Sequence, residues 1–142
     1  METLYLGSDH AGFDLKEVVV KYLQELQWPF QDLGCDCAGT SVNYPDYAHK
    51  VVQAILANPG SRGILICGTG LGMSMAANRF PGIRAALCQE LYTARMSRLH
   101  NNANLLVMGG AHCRAGTSPG NCPGVADHSL RRRPAPGTPE SH

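Results

Sequence analysis

Long apolar runs, C-x-x-C pairs, internal repeats and a large surplus of one charge are all missing from this sequence. The N-terminus passes from Met1 straight into Leu4-Tyr5-Leu6 with no basic segment, which argues against a signal peptide and a membrane span and for a cytoplasmic location. The six cysteines, Cys35, Cys37, Cys67, Cys88, Cys113 and Cys122, could make three disulfides, but a reducing compartment opposes that. Without a C-x-x-C pair a zinc site is not expected either. Charged residues are only 16% of the chain and the net charge is +1. Residues 1–110 hold eight Lys or Arg against nine Asp or Glu (−1), and residues 111–142 hold four against two (+2), so neither nucleic acid nor an anionic membrane is an expected partner.

What is present is the pattern of one α/β domain. A chain of 142 residues suits a single core. Up to residue 110, short β-rich runs alternate with stretches of helical period, the signature of βαβ units around a mostly parallel sheet. Strands are expected near 3–8, 29–33, 62–67, 83–88 and 104–108. The first helix, after Gly12, carries Leu15, Val18, Val19, Tyr22, Leu23 and Leu26 toward the sheet. The second opens at Asn43 to Pro45 and buries Tyr47, Val51, Val52, Ile55 and Leu56. A third carries Met73, Ala76 and Ala77, and a fourth Tyr92, Met96 and Leu99.

After Gly109-Gly110 the pattern stops. A parallel sheet needs a further helix there to cover its exposed face. Residues 111–142 instead hold five prolines, four glycines, no aromatic residue and only Val125 and Leu130 as large aliphatics. They read as a disordered tail unable to form an amphipathic helix, giving a domain over 1–110 and an irregular segment over 111–142.

The chemistry-bearing stretch is Ile64-Leu65-Ile66-Cys67-Gly68-Thr69-Gly70-Leu71-Gly72-Met73-Ser74, an apolar strand meeting a glycine-rich loop and a helix. Such a junction suits anions, because glycines let backbone approach a ligand and the first-turn N–H groups point at it. A dinucleotide would want G-x-G-x-x-G and an acidic residue some twenty positions on; Glu90 is suitably placed, but Met73 stands at the third glycine. A triphosphate loop fails at Gly7 to Gly12, where Phe13 and Asp14 replace Lys and Ser or Thr. The third candidate is a transient oxyanion such as an enediolate, held by loop amides beside a base.

Cys67 at the strand end is either buried filler or a thiol whose thiolate the helix N-terminus favours. Cys88 lacks a glycine loop and reads as core. Asp9 and His10 lie at the same carboxyl edge, where Asp9 either caps the following helix or binds sugar hydroxyls and His10 meets an anionic group. His100, before Asn101, ends the fourth helix and alone carries little information.

Gly7-Ser8-Asp9-His10-Ala11-Gly12, Asn43-Tyr44-Pro45-Asp46-Tyr47-Ala48, the Ile66 to Ser74 run and Ser97-Arg98-Leu99-His100-Asn101 together closely resemble the ribose-5-phosphate isomerase B family, which includes galactose-6-phosphate isomerase subunits. The resemblance spans residues 3 to 110. It implies a Rossmann-like, doubly wound sheet of order 2-1-3-4-5 and a homodimer with active sites at the subunit interface. It also implies conversion of ribose 5-phosphate to ribulose 5-phosphate, or of a 6-phosphohexose, with no cofactor or metal. In that scheme His100 helps open the furanose ring and the Cys67 thiolate moves a proton from C2 to C1. The amides of Gly68, Gly70, Gly72 and the residues through Ser74 hold the enediolate, with Thr69 beside them. Asp9, Tyr44 and Asn101 orient hydroxyls, and His10 serves the phosphate end. Two features depart from the family: Asn43 stands where relatives often have Asp, and from Ala111 the chain replaces a long C-terminal helix bearing phosphate-binding arginines. Arg131, Arg132 and Arg133 have no fixed place to substitute for those cations, so impaired activity is the alternative expectation.

Overall fold

The computed structural model describes residues 2–35, 43–110 and 122–131. Strands β1 (Leu4–Ser8), β2 (Phe30–Asp32), β3 (Arg62–Cys67), β4 (Ala85–Leu87) and β5 (Leu105–Gly109) form one parallel sheet. Helices α1 (Phe13–Glu25), α2 (Tyr44–Ala57), α3 (Leu71–Ala77), α4 (Leu91–Leu99) and α5 (Cys122–Arg131) pack on its two faces, with a 3-10 turn at His10–Gly12 leading into α1. The doubly wound class is the one the alternation implied.

The strand order is β2-β1-β3-β5-β4, which corrects the expected 2-1-3-4-5. β5 takes the place beside β3 because all five of its residues are buried, as an interior strand requires. β4 offers three half-buried residues and suits an edge. The Asn78 side chain shields that edge, accepting from the Ala85 N–H at 2.8 Å and donating to the Ala85 carbonyl at 3.0 Å.

Alternation along each strand builds two cores. Leu4, Leu6, Ile64, Ile66, Leu106 and Met108 face Leu15, Val19 and Leu23 of α1, Ala94 of α4 and Val125, Ala126 and Leu130 of α5. On the other face Tyr5, Leu65, Cys67, Leu105 and Val107 meet Ala48, Val51, Val52 and Ile55 of α2 and Met73 and Ala77 of α3. Two helices turn differently from expectation. α2 leaves Leu56 exposed, and α4 buries Ala94, Ser97 and Arg98 while Tyr92 points to solvent. Lys16, on the buried side of α1, has no exposed surface because its ammonium donates to both Asp32 carboxylate oxygens at 2.7 and 2.8 Å and to the Cys35 carbonyl at 2.7 Å.

Residues 122–131 overturn the expectation that no amphipathic helix follows Gly110, whereas 111–121 and 132–142 lie outside the described residues. Ala126 and Ser129 complete a stripe with Val125 and Leu130 at i, i+1, i+4 and i+5, so small residues supply the apolar face that a count of large aliphatics missed. Pro123 falls in the first turn, where its missing N–H costs nothing. The helix is fastened at its far end by Arg62, whose guanidinium donates to the Ser129 carbonyl at 3.2 Å and the Leu130 carbonyl at 2.9 Å. Tyr22 Oη donates to Asp127 at 2.9 Å.

Candidate active site

β3 delivers Cys67 to the carboxyl edge of the sheet, where the chain turns through Gly68-Thr69-Gly70 into α3. The turn requires glycine at position 70, whose φ is +85°. This conformation aims the Gly70 N–H at the Cys67 sulfur, 3.1 Å away, while the Leu71 N–H donates to Thr69 Oγ1 at 3.2 Å. Two amides of the loop are therefore engaged by side chains of the loop itself. The Cys67 side chain is nearly enclosed, with 5% exposure, whereas Thr69 is exposed.

Asp9 follows β1 at the same edge, and its backbone N–H donates to the Ile66 carbonyl at 3.2 Å, seating it beside the end of β3. Its buried carboxylate caps the 3-10 turn by accepting from the Gly12 N–H at 3.0 Å, which is the capping alternative read from sequence. His10 opens that turn and is half-buried. Tyr44, first residue of α2, lays its ring on Gly72. A Cβ at position 72 would come within 2.7 Å of Tyr44 Cε1, so glycine there admits the tyrosine over the first turn of α3. Ser74 lies one turn further and is half-buried. Cys67, Thr69, Asp9, His10, Tyr44 and the glycines of the loop are thus gathered on one edge.

His100 and Asn101 are not among them. α4 starts at the carboxyl edge and runs back along the sheet, and His100 caps its C-terminal end. Asn101 then accepts from Arg84 Nε at 2.7 Å through its backbone carbonyl and lines a 350 Å3 cleft with Arg84, Ala85 and Ala103, at the amino ends of β4 and β5. Cys67 pairs with Gly109 and Gly63 with Leu105, so the two groups are separated by four strand residues, roughly 13 Å at about 3.3 Å per residue. A second cleft of 610 Å3 between α2 and α3 is lined by Tyr44, His49, Gly72, Met75, Arg79 and neighbours.

Sequence reasoning missed Gln89, which follows β4 and reaches across to the loop. Its Nε2 donates to the Thr69 carbonyl at 3.0 Å, and its Oε1 accepts from the Gly109 N–H at 3.4 Å. No motif signals such a residue, because it binds backbone of other segments. Cys88 is 1% exposed, and burial pushes its thiol up, against hydrogen bonds with Thr93 and Ser97 that pull it down. Glu90 caps α4, accepting from the Thr93 and Tyr92 N–H groups, and its hydrogen bonding with Thr93 holds the carboxyl below its usual range. Among the described residues no group of three or more His, Cys, Asp or Glu side chains is placed to hold a metal, and no helix is long and apolar enough to cross a membrane.

A doubly wound sheet with a cysteine and a glycine loop at its carboxyl edge defines an α/β protein that takes small ligands at the ends of its strands, and comparison narrows it. Residues 4–118 match the family described as Ribose/Galactose Isomerase, and the chain belongs to that family. It is 44% identical over 109 residues to the ribose-5-phosphate isomerase B of Escherichia coli, covering 77% of this chain and 72% of that protein. It is 40% identical over the same length to the D-erythrulose-4-phosphate isomerase of Pectobacterium atrosepticum, with the same coverages. The solved ribose 5-phosphate isomerase of Thermotoga maritima superposes with a TM-score of 0.87 at 48% identity, covering 96% of this chain and 90% of that one. A superposition of that extent includes chain beyond Gly110.

Proposed function

We propose that this protein interconverts ribose 5-phosphate and ribulose 5-phosphate in the cytoplasm, with Cys67 as the proton carrier. The observation that carries this reading is the Cys67 sulfur held by the Gly70 N–H at 3.1 Å, at the carboxyl edge that also holds Asp9, His10 and Tyr44. In the open-chain aldose the Cys67 thiolate takes the proton from C2. The C–H electron pair becomes a C1–C2 double bond and the C1 carbonyl oxygen takes the negative charge. The thiol returns its proton to C1 while the O2 hydroxyl proton moves to O1, leaving a C2 ketone and a regenerated thiolate. The reaction is an internal redox change and consumes no oxidant or cofactor.

Amides of Gly68 and Gly72, with Thr69, form the oxyanion wall, because the Gly70 N–H holds the Cys67 sulfur and the Ser74 N–H is spent on the Gly70 carbonyl. Asp9 and Tyr44 orient sugar hydroxyls, and His10 meets the phosphate end. His100, the ring-opening group, and Asn101 sit on the opposite edge of their own chain, so they serve the Cys67 of a second copy in a homodimer. The test is ribulose 5-phosphate formation by wild type and Cys67→Ala. Loss of a general base costs roughly 10²–10⁴-fold in turnover, and that loss is the expected result. A Cys67→Ala enzyme with wild-type turnover removes the proposed base.

The 5% exposure of Cys67 favours a second reading, a sugar-phosphate binder with weak turnover. Joining a family-type C-terminal helix to residues 1–110 then raises turnover sharply; unchanged turnover rejects this reading. Allose or galactose 6-phosphate as the faster substrate would redirect the specificity within the same chemistry.

A further inference from the structure

We propose that Gln89 is a positioning residue that aims the Gly70 N–H at the Cys67 sulfur by gripping the other end of the same peptide group. The inference rests on Cys67 being the base. Thr69 contributes the carbonyl and Gly70 the N–H of one rigid peptide plane. Gln89 Nε2 donates to that carbonyl at 3.0 Å, and the N–H on the far side donates to Cys67 Sγ at 3.1 Å. The orientation of the Gln89 amide follows from its two partners, since the Thr69 carbonyl only accepts and the Gly109 N–H, 3.4 Å from Oε1, only donates.

The surroundings leave this plane little alternative. Gly109 is the β5 residue paired with Cys67, and a Cβ there would fall 2.6 Å from the Thr69 oxygen and 2.9 Å from Gln89 Nε2, so the glycine makes room for the contact. A Cβ on Gly70 would meet Leu87 Cδ1 at 2.4 Å, so the loop is pressed against β4 as it passes. A peptide that accepts at its oxygen is also polarised into a better donor at its nitrogen. Gln89 therefore acts twice on the thiolate, by holding the N–H in place and by strengthening it. The side chain sits outside the expected catalytic set, and its hydrogen bonds go to backbone, the Thr69 carbonyl and the Gly109 N–H.

Two substitutions separate the donor from the bulk of the side chain. Gln89→Glu keeps the shape and the acceptor for Gly109 but has no donor for Thr69, and Gln89→Met has neither. The expected result is a fall in kcat of about tenfold in both, with KM within about twofold of wild type, as for an interaction that acts on the chemical step. The Gly70 amide proton resonance should move upfield in both. A Gly70 resonance that stays put in Gln89→Met, or a Gln89→Glu enzyme with wild-type kcat, overturns the proposal. Cys67→Ala measured alongside identifies the fault in that case: if it too keeps its turnover, the base assignment has failed, and if it is inactive, the role given to Gln89 has failed.

Discussion

The two edges of the sheet solve opposite problems. At the carboxyl edge helices begin, leaving N–H groups without partners, and the chain supplies acceptors: Asp9 for Gly12, Cys67 for Gly70, Thr69 for Leu71 and Glu90 for Tyr92 and Thr93. At the amino edge helices end, leaving carbonyls, and the chain supplies arginines. Arg62 takes Ser129 and Leu130, Arg98 takes Ala103, and Arg84 takes Asn101. One edge thus meets its helix N–H groups with acidic, hydroxyl and thiol acceptors, and the other is closed by cations already committed to structure. The arginines also lie close enough to oppose one another. Burial first, and then the neighbouring Arg62, lower Arg98 to about 10. An added phosphate cation is therefore not to be sought among them.

This contrast makes predictions. The largest effect concerns the carboxyl edge: Gly72→Ala pushes its new methyl against the Tyr44 ring, and displacing that ring should raise KM about tenfold while melting changes little, as read by steady-state kinetics with calorimetry. Wild-type KM would separate Tyr44 from the substrate. The amino edge should respond in stability instead. Arg62→Met leaves the α5 carbonyls and Glu2 without their partner, and a loss of about 2 kcal/mol is expected by denaturant titration, with KM unchanged once folded. The smallest effect is an acid one. Glu2 is held below its usual range: burial opposes this, but a backbone hydrogen bond and Arg62 outweigh it. Glu90 is held down by Thr93. Carboxyls lowered on folding add stability that is present above the unfolded value of 4.5 and is lost as pH falls through their folded values. Melting between pH 6 and 3 should therefore fall less steeply in Glu90→Gln than in wild type.

Legibility in the sequence divided along similar lines. Strands and the apolar stripe of α1 were readable because burial imposes a period on neighbouring residues, and the glycine loop was readable because backbone geometry restricts residue type. The β5-before-β4 order was not, because pairing is a long-range choice decided by how much apolar surface each strand offers, and Ala85-Ala86-Leu87 offers little. α5 is hard to read from sequence because half of its packing face, Ala126 and Ser129, is small or polar. No local pattern marks Lys16 as buried, since its partners, Asp32 and the Cys35 carbonyl, lie on another segment. The motifs carrying Cys67 and His100 were both visible, but only the fold shows that they end on opposite edges.

That separation is the central point, and pairing two defective chains tests it most directly. Cys67→Ala and His100→Asn, each expected to be nearly inactive alone, should regain about a quarter of wild-type turnover when unfolded together and refolded as an equal mixture, because half of randomly paired dimers are mixed and each holds one intact site of two. A mixture no more active than the sum of its components, under conditions where mass in solution shows mixed dimers, contradicts the account.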